Sequence, residues 1–169
     1  NSYILVGASL CGGRAYAMLE QFYREAAETE ERLYSRMQEQ AEKFIENYGK
    51  EAAWKVDTAF SGTRSDPSHR GMITGIGVEN FHPGALTVGV IRGILNELHE
   101  QYERMCQLTG KKATRLAGSG NGIRRNPLMR RLAEEMFKMP MEIPEYEEEA
   151  AYGAALTAGK LVNIAKENM

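Results

Sequence analysis

One short stretch, LAGSGNGIRRNPLMRRL at residues 116–132, constrains the fold more than any other part of the sequence. An apolar run comes first, three glycines follow within five positions, and a helical pattern begins at Asn126 and Pro127. Asparagine is a favoured N-cap, and proline suits the first helical position because the N–H it lacks would have no partner there. The stretch therefore predicts a strand, a tight glycine turn and a helix, the building unit of α/β proteins.

The same order of elements recurs along the chain. SYILVGASL at residues 2–10 predicts a strand that leads through Gly12 and Gly13 into a helix. The later predicted elements are an amphipathic helix at 30–48, β-like runs at 54–60 and 71–76 around a polar loop at 61–70, a long helix through 86–105, a strand at 141–143 and a closing helix at 148–167. This alternation indicates the α/β class, and 169 residues without a low-complexity linker indicate a single domain at 1–169.

Composition excludes several classes of function. The chain has 21 basic and 23 acidic residues, so no overall charge favours nucleic acid or an anionic membrane. Cys11 and Cys106 are too few for a disulfide framework and are expected to be reduced thiols, which together with the lack of a membrane-length apolar run predicts a cytoplasmic protein. The chain begins with asparagine, which suggests a piece of a longer polypeptide.

The glycine turn at 118–122 has three interpretations from its pattern alone. Bare backbone at a helix start can hold phosphate or ribose oxygens, but many turns between a strand and a helix use glycine only to change direction. A dinucleotide turn is the third interpretation, since Glu142 lies at the expected distance of about 20 residues. The spacing G-x-G-x-G departs from that fingerprint, and a Walker A loop is excluded because the chain contains no Gly-Lys-Ser or Gly-Lys-Thr.

Other polar residues carry weaker signals. His69, His82 and His99 have no metal-ligand spacing with one another or with a pair of carboxylates, so no metal site is predicted. Asp57 and Asp66 are candidate bases by residue type, but aspartate beside glycine, serine and proline is typical of turns.

Several stretches taken together resemble a known family. They occur in this order: GASLCGGRAYAMLEQF, LYSRM, FSGTRSDPSHRG, GVIRGILNELH, GSGNGIRRNPLMRRLAEEMFKMPMEI and EEAAYGAALTAG. The ordered set is similar to the C-terminal, nucleotide-binding lobe of the FGGY carbohydrate kinases, most of all to the branch that phosphorylates sedoheptulose. The resemblance implies an α/β, ribonuclease-H-like lobe of the actin and hexokinase superfamily, with a mixed five-stranded sheet flanked by helices.

The resemblance also implies a nucleotide site built from the two glycine turns, with ATP and Mg²⁺ as cofactors. Its implied nucleotide-binding residues are Gly12, Gly13, Gly118, Ser119, Gly120, Asn121 and Asn126. Arg64 and Asp66, in the segment GTRSDP, are similar to a family loop that faces the cleft. In this family the N-terminal lobe carries the sugar site and the catalytic aspartate, so we expect no catalytic residue in this chain.

The resemblance leads to a function with one main alternative. It implies the ATP-binding half of a kinase that transfers the γ-phosphoryl group of ATP to a sugar hydroxyl, a ketose such as sedoheptulose, and that is inactive without its other lobe. The alternative is a stand-alone nucleotide-binding or sensory module of the same fold. The identity of the sugar and the oligomeric state stay open at this point.

Overall fold

The computed structural model describes residues 4–146 and 148–167 of the chain. In chain order, the helices and strands are α1 (Gly12–Ala26), α2 (Tyr34–Tyr48), a 3₁₀ turn (Lys50–Ala52), β1 (Lys55–Val56), β2 (Ile73–Thr74), α3 (Pro83–Thr109), β3 (Leu116–Ala117), α4 (Asn121–Arg124), α5 (Pro127–Phe137), β4 (Met141–Glu142) and α6 (Glu149–Glu167). The predicted helices at 30–48, 86–105 and after Asn126 are confirmed, because each has a local apolar period and a clear end signal.

Helix α3 forms the centre of the molecule, and α1, α2, β1 and α5 all pack on it. Its buried stripe includes Val88, Ile91 and Leu95, which recur at the spacing of one helical face. Phe44 of α2 and Leu128 of α5 are each 1% exposed and complete the same core. The amphipathic pattern of the sequence therefore assembles one hydrophobic core around a single long helix.

Two glycines let β1 lie directly on α3. A Cβ added at Gly89 would come within 2.4 Å of the Trp54 carbonyl oxygen, and one added at Gly93 within 2.3 Å of the Val56 carbonyl oxygen. Both distances are shorter than any real Cβ contact. The absence of side chains at these positions therefore sets the distance between helix and strand.

A buried carboxylate joins α1 to the start of α2. Glu20 is fully buried, and its Oε1 accepts a hydrogen bond of 3.1 Å from the Leu33 backbone N–H. The guanidinium groups of Arg32 and Arg24 lie 3.2 and 3.6 Å from its two oxygens. A buried charge needs such partners, so this cluster explains why a glutamate is stable inside the core.

The strands form two small sheets. Antiparallel β1 and β2 pair Lys55 with Thr74 and Val56 with Ile73, which confirms that the two predicted runs meet but over a shorter length. In the second sheet β3 and β4 run parallel, with Leu116 opposite Met141. Helix α5 lies between these two strands in sequence, so residues 116–142 contain the strand–helix–strand unit expected of the α/β class.

Two predictions about strands need correction. The described residues form two separate two-stranded sheets, and not the mixed five-stranded sheet that the resemblance implies. The predicted strand at 2–10 is also wrong for residues 4–10, which form no strand and leave Ile4 and Val6 88% and 80% exposed. An apolar run becomes a strand only where another strand supplies hydrogen-bond partners, and nothing in the described residues does so here.

Candidate functional site

The first glycine turn stands at the N-terminus of α1. The Ser9 hydroxyl oxygen accepts hydrogen bonds from the backbone N–H groups of Gly12, at 2.8 Å, and Cys11, at 3.2 Å. The same hydroxyl donates to Glu97 Oε2 of α3 at 2.7 Å, which fixes the turn on the central helix. A Cβ built on Gly13 would meet no atom within 4 Å. The turn is therefore anchored to α3 through Ser9, while no side chain covers Gly13, which lies at the positive end of α1.

The second glycine turn joins β3 to α4, and its residues have different roles. Gly118 is buried, donates its N–H to the Glu142 carbonyl oxygen at 2.9 Å, and has no room for a Cβ beside Met141. Gly120 has φ of +85°, a conformation that favours glycine. Ser119 and Asn121 are exposed. This turn thus combines one glycine needed for packing, one needed for backbone shape and two polar residues open to a ligand.

Asn126 begins α5, as its position before Pro127 predicts. It is 3% exposed, and its Oδ1 accepts a hydrogen bond of 2.9 Å from the Met129 backbone N–H. This is the side-chain contact of an N-cap, and the amide nitrogen of Asn126 takes no part in it. Among the described residues, that nitrogen is buried and has no hydrogen-bond partner.

Tyr16 lies close to the first turn along α1, and sequence reasoning missed it as a candidate. It lies one helical turn beyond Gly12 and Gly13, is 7% exposed, and stacks on Tyr34 with ring centroids 5.8 Å apart. Burial raises the pKa of the Tyr16 hydroxyl to about 12, and the neighbouring Asn126 side chain opposes part of that increase. The apolar spacing of α1 predicts only an ordinary core position for Tyr16. The signal that could have identified it as a candidate is its position one helical turn after a glycine pair.

The predicted cleft-loop residues lie in the polar loop between β1 and β2. Asp66 Oδ1 accepts hydrogen bonds from the hydroxyl and the backbone N–H of Ser68, at 2.6 and 3.0 Å, and these bonds lower the pKa of the exposed Asp66 carboxyl. Arg64 is exposed in the same loop. His69 Nε2 lies 2.6 Å from Asp57 Oδ2 and ties the loop to β1. The structure thus places Asp57 and Asp66 in turns, and the cleft-loop role of Arg64 and Asp66 stays a prediction.

A cavity of about 570 Å³ lies between β1, this loop and α3. Its lining includes Asp57, Thr58, His69 and Arg92, but neither glycine turn. Arg92 already donates to the Lys50 carbonyl oxygen at 2.5 Å and to a carboxylate of the 3₁₀ turn. The lining also includes Glu97, the carboxylate that accepts a hydrogen bond from Ser9 of the first turn, so the cavity reaches the base of that turn.

The described part of the chain contains neither a metal-ligand cluster nor a membrane-spanning helix. No three or more histidine, cysteine or acidic side chains there lie close enough together to hold a metal ion. No helix in residues 4–146 and 148–167 has the length and apolar character needed to cross a membrane.

The carboxylate that a dinucleotide turn would require already has a partner. Arg115 Nε donates to Glu142 Oε1 at 3.1 Å across the β3–β4 pair, and a second guanidinium nitrogen contacts Glu142 Oε2. This contact lowers the pKa of Glu142, since the guanidinium group stabilises its charged form. A ribose hydroxyl would have to compete with Arg115 for both oxygens, which argues against the dinucleotide interpretation.

Comparison with known proteins identifies the family. The sequence profile for the FGGY family of carbohydrate kinases, C-terminal domain, matches residues 1–161. The sedoheptulokinases of Homo sapiens and Mus musculus are each 30% identical to the chain over 161 residues, which cover 92% of this chain and 32% of theirs. The chain therefore spans about a third of the length of these curated relatives.

Solved structures show the same fold. Xylulose kinase from Bifidobacterium adolescentis aligns with a TM-score of 0.64 and 22% identity, over 85% of this chain and 26% of that one. Plasmodium falciparum glycerol kinase with ADP aligns with a TM-score of 0.68 and 18% identity, over 88% of this chain and 29% of that one. Sequence and fold thus agree, and the chain belongs to the FGGY family of carbohydrate kinases, whose C-terminal domain it matches over residues 1–161.

Proposed function

We propose that this chain is the ATP-binding lobe of a kinase that transfers the γ-phosphoryl group of ATP to a sugar hydroxyl. Family membership supports the reaction class, and the observation that carries the nucleotide site is the pair of glycine turns, each of which stands at a helix start with glycine backbone free of neighbouring side chains at Gly13 and Gly120. The relative from Plasmodium falciparum was crystallised with ADP, which supports an adenine nucleotide. The similarity to sedoheptulokinases supports a ketose such as sedoheptulose as the acceptor.

Each predicted nucleotide-binding residue has a role in this proposal. The bare surface at Gly12 and Gly13 admits the nucleotide at the positive end of α1, since no side chain blocks it. Gly120 shapes the second turn, and exposed Ser119 and Asn121 contact the adenosine. The proposed nucleotide-binding set is Gly12, Gly13, Gly118, Ser119, Gly120, Asn121 and Asn126.

Phosphoryl transfer also needs Mg²⁺ to neutralise phosphate charge and a base to orient the attacking hydroxyl. The described residues contain no metal-ligand cluster, and the candidate bases Asp57 and Asp66 are held in turns. We therefore place the catalytic base and the sugar site in the remaining two thirds of the length that the relatives have. Mg²⁺ would bind mainly through the nucleotide phosphates, and residues 1–169 would form one domain of a two-lobe enzyme without activity of their own.

The same proposal accounts for the missing strands. Residues 4–10 form no strand, and Ile4, Leu5 and Val6 are exposed, while β3 and β4 form only two strands of a parallel sheet. We propose that strands from the rest of the enzyme pair with residues 4–10 and complete the five-stranded sheet.

Cys11 and Cys106 are free thiols, which suits a reducing compartment such as the cytoplasm.

A titration of backbone amides tests the nucleotide site. MgATP should shift the amide signals of Gly12, Gly13 and Gly118–Gly122, while NAD should leave them unchanged. Shifts with NAD alone would overturn the proposal in favour of the dinucleotide interpretation. Shifts with neither ligand, in a protein that contains both lobes, would mean that the turns have only a structural role.

Two alanine variants make this test specific. Gly120→Ala strains the turn because φ there is +85°, whereas Gly122→Ala places its Cβ in open space at an ordinary φ. Gly120→Ala should therefore weaken MgATP binding more than Gly122→Ala. Equal effects would show that the shape of the turn does not determine binding.

A further inference from the structure

The segment that leads into the first glycine turn lies directly on the central helix. A Cβ added at Gly7 would come within 2.6 Å of Gln101 Cβ and 2.9 Å of Met105 Cε, so the backbone there touches α3. The hydrogen bond from Ser9 to Glu97 lies one helical turn earlier on the same face of α3, since side chains four residues apart are neighbours on a helix. One packing contact and one hydrogen bond therefore hold this segment on α3.

The Ser9 hydroxyl uses all of its hydrogen-bonding groups at this point. A serine hydroxyl has one donor and two acceptor lone pairs. Its hydrogen is donated to Glu97 Oε2 at 2.7 Å, and its oxygen accepts from the backbone N–H groups of Gly12 at 2.8 Å and Cys11 at 3.2 Å. A hydrogen bond from a hydroxyl to an ionised oxygen is about twice as strong as one between neutral groups. Glu97 therefore fixes the rotation of the hydroxyl so that its oxygen faces the turn.

Helix α3 supports the second glycine turn as well. Helix α5 follows that turn and packs on α3, with Leu128 in the same core cluster as Ile91 and Leu95. The first turn is joined to α3 through Glu97 and Ser9. A bond that fixes the first turn on α3 therefore also fixes its position relative to the second turn.

We infer that Glu97 is a positioning residue for the proposed nucleotide site. Its carboxylate holds the Ser9 hydroxyl in the orientation that accepts from Cys11 and Gly12, and so sets the backbone of the first turn before the nucleotide binds. A pre-organised site binds more tightly because the ligand does not have to order it. The negative charge of Glu97 repels an anionic nucleotide, so the favourable effect comes through Ser9. The functional meaning of this inference rests on the proposed nucleotide site.

The test compares Glu97→Ala with Glu100→Ala in the full-length protein that carries this domain. Glu100 is the matched control, because it lies on α3, is exposed and lines the same cavity, whereas the Ser9 hydroxyl bonds to Glu97. Removal of either negative charge should slightly favour an anionic nucleotide, while loss of the Ser9 contact should weaken its binding. Glu97→Ala should therefore raise the Kd for MgATP about tenfold, the effect of losing one hydrogen bond to a charged group, and Glu100→Ala should leave it unchanged or lower it.

Two further variants test whether Glu97 acts through Ser9. Glu97→Gln keeps an oxygen that can accept the Ser9 hydrogen, so its Kd should lie closer to that of the unmodified protein than to that of Glu97→Ala. Ser9→Ala should weaken MgATP binding as Glu97→Ala does, and combining the two changes should produce no further loss. Equal Kd values in Glu97→Ala and Glu97→Gln, or additive losses in the double variant, would overturn the inference.

Spectra of the nucleotide-free protein, labelled with ¹⁵N-glycine, separate the failure of this inference from the failure of the nucleotide site. Glu97→Ala should shift the amide signal of Gly12, whose N–H bonds to Ser9, and leave that of exposed Gly153 in α6 unchanged. If MgATP shifts no glycine in the unmodified protein, the nucleotide site is wrong, and the Gly12 signal still decides whether Glu97 holds the turn. If MgATP binds the unmodified protein and Glu97→Ala with the same Kd, the site stands and the positioning role is refuted.

Discussion

Gly93→Ala is a sharp test of how β1 packs on α3. The added Cβ would lie 2.3 Å from the Val56 carbonyl oxygen and 2.9 Å from Thr58 Cγ2. Carbon and oxygen normally approach no closer than about 3.3 Å, so strand and helix must separate by roughly 1 Å. Because the obstacle is a backbone atom, no change of side-chain rotamer can relieve the clash.

The expected change in the free energy of unfolding of Gly93→Ala follows from two opposing terms. Overpacking a core costs about 1–3 kcal/mol, and a clash with backbone belongs at the upper end, whereas alanine in a helix gains about 1 kcal/mol over glycine. The net loss in free energy of unfolding is therefore about 2 kcal/mol. In a domain of this size, that loss should lower the Tm by about 4–8 °C.

Thermal and urea denaturation measure this effect, and Gly153→Ala provides the matched control. Gly153 lies in α6, is exposed, and has no atom within 4 Å of a built Cβ, so alanine there should leave stability unchanged or slightly raised. The reasoning is refuted if Gly93→Ala is as stable as the unmodified chain while Gly153→Ala behaves as expected.

Two further predictions concern buried ionisable groups. Glu20→Gln keeps an acceptor for the Leu33 N–H but removes the charge opposite Arg24 and Arg32. Urea denaturation should therefore show that the free energy of unfolding falls by about 1–3 kcal/mol. An unchanged midpoint of denaturation would mean that the charge contributes nothing to stability. Tyr16 has a pKa of about 12 in the folded chain against 10.0 ordinarily, so the folded state keeps this proton at higher pH. The free energy of unfolding should therefore fall as the pH rises from 10 to about 12, and it should fall less steeply in Tyr16→Phe. Equal pH dependence in the two proteins would contradict the raised pKa of Tyr16.

Helices were predictable where the signal is local. The apolar period of α3 is contained in its own residues, and Asn126 with Pro127 marks the start of α5 without reference to any distant part of the chain. Gly49 ends α2 with φ of +79°, as a glycine after an amphipathic stretch predicts. These elements need tertiary contacts for stability but not for their position.

The first strand and the shared site depend on distant contacts. Residues 4–10 have the composition of a strand, but pairing is decided by another segment, and the sequence window contains no information about that segment. The placement of the two glycine turns likewise follows from the way α1 and α5 pack on α3, which brings together segments far apart in sequence. The individual glycines could be predicted from local patterns, whereas the tertiary packing around their turns could not.

The exposed Asn121 and Gly122 at the start of α4 make the second turn vulnerable to chemical ageing. Gly122 carries no side chain to shield its nitrogen, and the first N–H groups of a helix have no intrahelical acceptor. That nitrogen can attack the Asn121 carboxamide, expel ammonia and leave a succinimide, which water opens to an acidic residue. A stored sample would thus acquire negative charge and an altered backbone at the turn, and its intact mass should be checked before any binding measurement.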